Sequence, residues 1–196
     1  MTTPAADATT GTPTGAGPQA PADYLLRLAD DRLVLGHRLS EWCGHAPILE
    51  EDIALANVAL DLIGQSVALL DLAAAREGRG RTADELAYFR DAREYRNLQL
   101  VELPNGDFAV TIVRQFLFDA YDAALLDALR ASADAELAAI AAKALKECRY
   151  HLRHSAEWVV KLGDGTAESQ ARAQAALDEL WRFTGEPFLT DDLDRE

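Results

Sequence analysis

EEDIALANVALDLIGQSVALLDLAAAREGRG, residues 50–80, decides the fold. Ile53, Ala56, Leu60, Ile63, Val67, Leu70 and Ala74 recur in alternating steps of three and four, the period of one face of an α-helix. A second apolar line runs beside it through Leu55, Ala59, Leu62, Ser66 and Leu69. One stripe suits a helix lying on a core; two imply a helix touched on two sides. Gly78 and Gly80 close the segment.

The same period extends in both directions. Upstream, Pro21 and Asp23 mark the start of a first helix carrying Leu25, Leu28, Leu35, Leu39 and Trp42, which stops near Gly44. Downstream, residues 82–103 are arginine-rich and of mixed charge, with short helical stretches. Leu103-Pro104-Asn105-Gly106-Asp107 is a break with turn chemistry. A third helix is predicted from about Asp107 to Arg130 and a fourth from about Asp134 to Leu162. A fifth runs roughly from Thr166 to Phe183. Strand alternation is absent over any useful length. Long helices joined by short loops make an antiparallel bundle, and one long crossover between two hairpins is the ferritin-like form of it. The fold class is therefore all-α, a ferritin-like antiparallel helical bundle.

The chain has 196 residues, 49% of them hydrophobic, enough for one substantial core. Its formal charge of −14 argues against nucleic acid and against an anionic membrane surface as partners. No continuous apolar run approaches the roughly 20 residues of a membrane span. Cys43 and Cys148 stand far apart without metal spacing and read as reduced, buried thiols, which points weakly to the cytoplasm. Residues 1–21, with four prolines and three glycines, read as a disordered tail. The helical domain is expected over 22–188, and residues 189–196 as an acidic C-terminal tail.

A helical bundle of this form can hold two metal ions with a Glu on each of two helices and Glu-x-x-His on the other two, because residues three apart share a face. His37 and Glu41 lie on the first helix. Asn57, Asp61 and Gln65 form a polar line on the second, where the Glu-x-x-His slot falls at Asp61 to Gly64, and Gly64 has no ligating group. The third helix offers Gln115, Asp119 and Asp122. The fourth offers Glu147, with Tyr150 in the histidine slot, His151 at i+4, and His154 one turn on. Asp61, Asp119, Asp122, Glu147 and His151 thus read as relics of a ligand face, not a working metal, catalytic or cofactor site. Lys143, Lys146, Arg114 and Arg149 are the expected ion-pair partners. Phe116, Phe118 and Tyr121 read as core. Arg76, Arg79, Arg81, Arg90, Arg93 and Arg96 form either a solvated face or a patch for a phosphate-bearing ligand. An independent di-iron oxidase and a coenzyme A ester-binding module remain alternatives.

Residues 50–65, FRDAREYRNLQLVELPNGDFAVTIVRQFLFDAYDAALL at 89–126 and AIAAKALKECRYHLRHSAEWVVKLGDGT at 139–166 resemble the family of the C subunit of phenylacetyl-CoA epoxidase, over about Tyr24 to Phe188. The resemblance implies a ferritin-like, non-catalytic subunit of a multicomponent oxygenase, without a cofactor of its own. It also implies a sister A subunit with the di-iron centre, a small B subunit, and a flavin and iron–sulfur reductase acting indirectly. The overall reaction in that family is epoxidation of the aromatic ring of phenylacetyl-CoA in phenylacetate breakdown. Members of the family continue for several dozen residues beyond the point matching Glu196, so a shortened homologue or a fragment is expected.

Overall fold

The computed structural model describes residues 18–193. Of the predicted N-terminal tail, residues 1–17 lie outside the described residues, as do 194–196. Seven α-helices are present among those described: α1 Ala22–Ser40, α2 Leu49–Glu77, α3 Ala83–Tyr88, α4 Gln99–Glu102, α5 Phe108–Leu129, α6 Ala135–Gly163 and α7 Ala167–Leu180. No strand occurs among them. α1 and α2 form one long hairpin, α5 and α6 the other, and α7 lies across α5 and α6. The segment from Gly78 to Asp107, with α3 and α4 inside it, is the crossover between hairpins.

Local chemistry sets the boundaries. Asp107, Asp134 and Thr166 each accept a hydrogen bond from a first-turn N–H of the helix they open, so orphan donors are satisfied. Thr82 and Glu85 complete a reciprocal capping box at α3. Gly78 ends α2 in the left-handed region, φ 68°, which a side chain there would resist.

The crossover is fastened to α1 by two buried carboxylates. Asp30 pairs with the Arg90 guanidinium, Nη1 lying 3.0 Å away, and also accepts the Arg96 N–H at 2.9 Å. Asp31 accepts the Leu98 N–H at 2.7 Å. The ends of the described chain are fastened too. Ala20 N–H donates to Asp134 at 2.8 Å, and Arg27 pairs with Asp191. Ala20 and Asp191 are thereby tied to the body of the bundle.

The apolar interior falls into two main clusters. One gathers Leu25, Leu28, Leu69, Leu70, Leu86 and Leu137; the other gathers Leu35, Leu39, Leu62, Ile112, Phe118 and Leu180. Between them, along α1 and α2, lie the polar side chains of the next section. Phe118 is core as expected, whereas Tyr121 packs edge-on against Phe188. Cys148 is buried, but Cys43 is exposed in the turn after α1, because the apolar periodicity of α1 ends at Leu39.

The two stripes of α2 part company. Leu55, Ala59, Leu62, Ser66 and Leu69 are buried against the bundle, while Ile53, Leu60 and Val67 are 54%, 67% and 43% exposed. Apolarity on both sides makes α2 long and apolar enough to match a membrane span by length and composition, although much of it is buried against its neighbours. The sequence reading missed this because Asp61 and Gln65 interrupt the run.

Gly36 marks the closest approach of α1 to α2. A Cβ there would sit 3.0 Å from Ile63 Cγ1 and 3.2 Å from the Ala59 carbonyl oxygen, whereas one at Gly64 would meet nothing within 4 Å. Replacing Gly64 with Ala should stabilise the fold by about 1 kcal/mol through helix propensity alone. Gly36→Ala should lose that gain to the backbone clash and fall below the wild type. Urea unfolding of the two single variants tests the difference.

Candidate functional site

At mid-height the bundle contributes one polar side chain from each of its four long helices. Arg32 of α1 is 1% exposed. Its Nε donates to Gln65 Oε1 of α2 at 3.1 Å, and its Nη2 to Asp122 of α5 at 2.5 Å. The remaining Nη1 donates to the Leu28 carbonyl at 2.8 Å. Gln65 Nε2 then donates to Glu147 of α6 at 2.9 Å. The ring therefore runs α1–α2–α6, with α5 joined through the guanidinium.

A dimetal bundle likewise draws one carboxylate from each of four helices, with histidine slots three residues beyond two of them; the slots are counted here from Gln65 and Glu147. Here the slots hold Ala68 and Tyr150. Counted from Gln65, the α2 slot falls one turn beyond the Asp61–Gly64 slot expected from sequence. Gly64 is on the outer face, and its lack of a ligand atom says nothing about the centre.

The surrounding groups are satisfied pairwise. Asp119 accepts from Gln115 Nε2 at 2.7 Å and from Ser155 Oγ at 2.8 Å. Burial pushes its carboxyl well above the usual range, against the lowering effect of those donors. Burial also raises Asp122, with Arg32 opposing it. His151 Nε2 lies 3.0 Å from Asp61, and His154 Nε2 lies 2.9 Å from Glu51; both clasps join α2 to α6. Cys148 is likewise pushed up by burial, a poor setting for a thiolate.

The residues of the predicted relic face therefore do not form one cluster, and Asp61 stands at the surface with its side chain 41% exposed. Asp122 and Glu147 belong to the ring, Asp119 sits in its own α5–α6 pair, and Asp61 and His151 face each other at the α2–α6 seam. The expected partners are elsewhere. Arg149 approaches Asp127, and Arg114 donates to the Leu103 carbonyl and Asn105 Oδ1. The partner that sequence reasoning missed is Arg32. Its signal was present, because Leu25, Leu28, Arg32, Leu35 and Leu39 step by three and four. The guanidinium occupies the gap of seven in an otherwise unbroken apolar stripe.

This donor set does not suit a pair of divalent ions. A guanidinium is a fixed cation with five donors and no lone pair to offer a metal, and here it occupies the ring. Among the described residues no group of three His, Cys, Asp or Glu side chains is placed to hold one ion.

The arginine-rich segment is largely committed to internal pairing. Arg90 is buried against Asp30, with its guanidinium over the Tyr95 ring. Arg76 pairs with Asp134 and Glu136, and Arg81 and Arg79 with Glu77. Arg79, Arg93 and Arg96 remain exposed at the surface. A cleft of about 990 Å³ lies between α1, α5 and residues 186–193. Asp31 stands at its wall, its pKa raised to about 7 by burial against the Leu98 N–H bond and Arg32.

Fold and centre together define a ferritin-like bundle with a buried polar ring linking its four long helices. Residues 5–196 match the family described as phenylacetic acid catabolic protein, and the chain belongs to that family. It is 54% identical over 171 residues to the Escherichia coli (strain K12) protein named as the C subunit of 1,2-phenylacetyl-CoA epoxidase, covering 87% of this chain and 68% of that one.

Two outcomes follow from this geometry. Arg32→Met leaves Asp122 buried without its counter-ion, and should cost about 3 kcal/mol by chemical denaturation. Adding Asp122→Leu should restore most of that loss, because no buried charge then remains. For Asp31, a folded-state pKa of about 7 against a usual 3.8 means the native state holds the proton more tightly. Its contribution is full below the unfolded pKa and is lost as pH rises through the folded one. Asp119 and Asp122, raised in the same direction, add to this trend. Urea midpoints should therefore fall from about pH 4 to about pH 8, and Asp31→Asn should flatten the fall.

Proposed function

We propose that the chain is a non-catalytic, supporting subunit of a phenylacetyl-CoA 1,2-epoxidase in aerobic phenylacetate catabolism. The observation that carries this reading is the Arg32 guanidinium among Gln65, Asp122 and Glu147, where a catalytic bundle needs metal ligands. Membership of the phenylacetic acid catabolic family and 54% identity to a protein named as the C subunit of that enzyme support it.

In this reading the di-iron centre and the substrate belong to a sister A subunit, which is the catalytic one. A small B subunit joins them in a cytoplasmic assembly, and a reductase supplies electrons to A. The present chain holds a stable helical surface against its partners. Its own residues move no proton and bind no oxygen. Asp119, a deeply buried carboxyl with a strongly raised pKa on α5, is occupied by Ser155 and Gln115 and faces no cavity among those described.

Co-expression with the A and B subunits, followed by size-exclusion chromatography and metal analysis, tests the proposal. The chain should coelute with A, and the iron should track A alone. Glu147→Gln should leave both iron content and epoxide formation unchanged. Iron lost on Glu147→Gln, or stoichiometric iron in the isolated chain, would give the centre to this subunit and overturn the reading.

A further inference from the structure

Asp31 of α1 is a buried carboxylate with one oxygen in use. Its residue is 4% exposed, and Oδ1 accepts the Leu98 N–H at 2.7 Å. Oδ2 has no hydrogen bond among the described residues. Nor is it one of the unpaired atoms sealed from solvent, which belong to Arg76, Arg114 and Gln115. The oxygen therefore opens into the cleft of about 990 Å³ whose wall Asp31 helps to form, a volume in the range of small-molecule sites. A polar group at that depth is costly unless something supplies the missing donor.

The rest of the wall narrows what that donor is. Tyr24, Leu28, Tyr121, Leu125, Leu129 and Phe188 make it aromatic and aliphatic, with the Tyr121 and Phe188 rings edge-on and 5.9 Å apart. Burial, and then the Asp31 charge, push the Tyr121 phenol up, so its hydroxyl stays protonated near that carboxylate. The other charged groups have prior commitments. Arg27 pairs with Asp191. Asp134 caps α6 and takes the Ala20 N–H and Arg76. Glu186 accepts the Gln99 N–H at 2.8 Å. Arg96 is held least, its side chain 51% exposed and 3.8 Å from Asp23. A guanidinium in water gains little from an anion, whereas a carboxylate oxygen that is buried and unpaired gains much from a cation. An anion would also share the cleft with Asp31, Asp134, Glu186 and Asp191.

The geometry points to a binding site for a small organic cation, a primary ammonium on an apolar chain or ring, its N–H groups meeting Asp31 Oδ2 and its body lying along Tyr121, Leu125 and Leu129. An ammonium carries three donors and no acceptor, which suits an open carboxylate oxygen near a phenol. Aromatic faces on the wall add their own attraction for a cation. An alcohol of the same shape keeps the apolar contacts and loses the charge; a carboxylate reverses it. The site goes beyond the supporting-subunit reading and does not depend on it, since Arg32, Gln65, Asp122 and Glu147 are not among the residues lining the cleft.

Calorimetric titration of the purified chain at about pH 8, where Asp31 has lost its proton and a primary amine keeps its own, tests the site. The probes are octylamine, octanol and octanoate, one body with three heads. Octylamine should bind, octanol roughly 10-fold more weakly or worse, and octanoate not at all. Asp31→Asn keeps an oxygen for the Leu98 N–H; it should weaken octylamine roughly 10-fold and leave octanol nearly unchanged. Equal affinity for amine and alcohol, a preference for octanoate, or no heat from any probe would each overturn the site. So would a folded Asp31→Asn that binds octylamine as the wild type does. Should Asp31→Asn lose the helical circular dichroism of the wild type, Ala124→Trp replaces it. Ala124 is exposed on the cleft wall, and an indole there should fill the space and abolish amine binding; retained binding sinks the inference.

Discussion

A guanidinium at the centre of a helical bundle constrains everything around it. A guanidinium keeps its charge inside a protein, and removing that charge from water is costly unless its nitrogens find acceptors. One carboxylate, one amide oxygen and one main-chain carbonyl give each of the three nitrogens of Arg32 a partner. A pair of divalent ions would balance four carboxylates; a single positive charge balances one. The composition of the ring follows. Asp122 keeps the ion pair. Gln65 is an amide, able to accept from Arg32 and donate to Glu147 at once. Asp119, left without a cation in contact, takes neutral donors and a raised pKa.

The same layer separates the two apolar clusters and ties the hairpins across their seam. α2 and α6 meet through directed polar contacts: Gln65 to Glu147, Asp61 to His151, Glu51 to His154. Such contacts fix the height of one helix against the other, because a shift of one turn would separate all three pairs together. Apolar packing alone tolerates sliding more readily. On the opposite side of α1, Asp30 and Asp31 perform the corresponding service for the crossover, holding its backbone N–H groups to the bundle.

Helix boundaries were legible in the sequence because they are set locally. Asp107, Asp134, Thr166 and Gly78 act on neighbours a few residues away. The centre was only half legible, for the opposite reason. Periodicity gives the face on which Asp61 or Gln65 lies, but neither the height at which four helices meet nor the partner from a distant helix. A slot beginning at Asp61 or at Gln65 fits the sequence spacing equally, and only the packed structure brings Arg32, Gln65, Asp122 and Glu147 to one level. The exposed stripe shows a further limit: apolar spacing puts Ile53, Leu60 and Val67 on one face, and does not say whether that face is buried in the same chain.

Leucine could fill the interior of a bundle of this kind, yet this one retains a polar layer. The energetics of single substitutions explain the persistence. Loss of Arg32 alone strands Asp122; loss of Asp122 alone strands Arg32; loss of Gln65 leaves both the guanidinium and Glu147 short of a partner. Each step is uphill by an amount comparable to a substantial part of a domain's stability. Only simultaneous replacement by apolar groups of matching volume escapes the penalty. The outer face of α2 is under no such lock, since each of its side chains stands in solvent and can change singly without disturbing the core. Interior and surface are thus free to respond to different demands, the first to the integrity of the bundle and the second to whatever the bundle is set against.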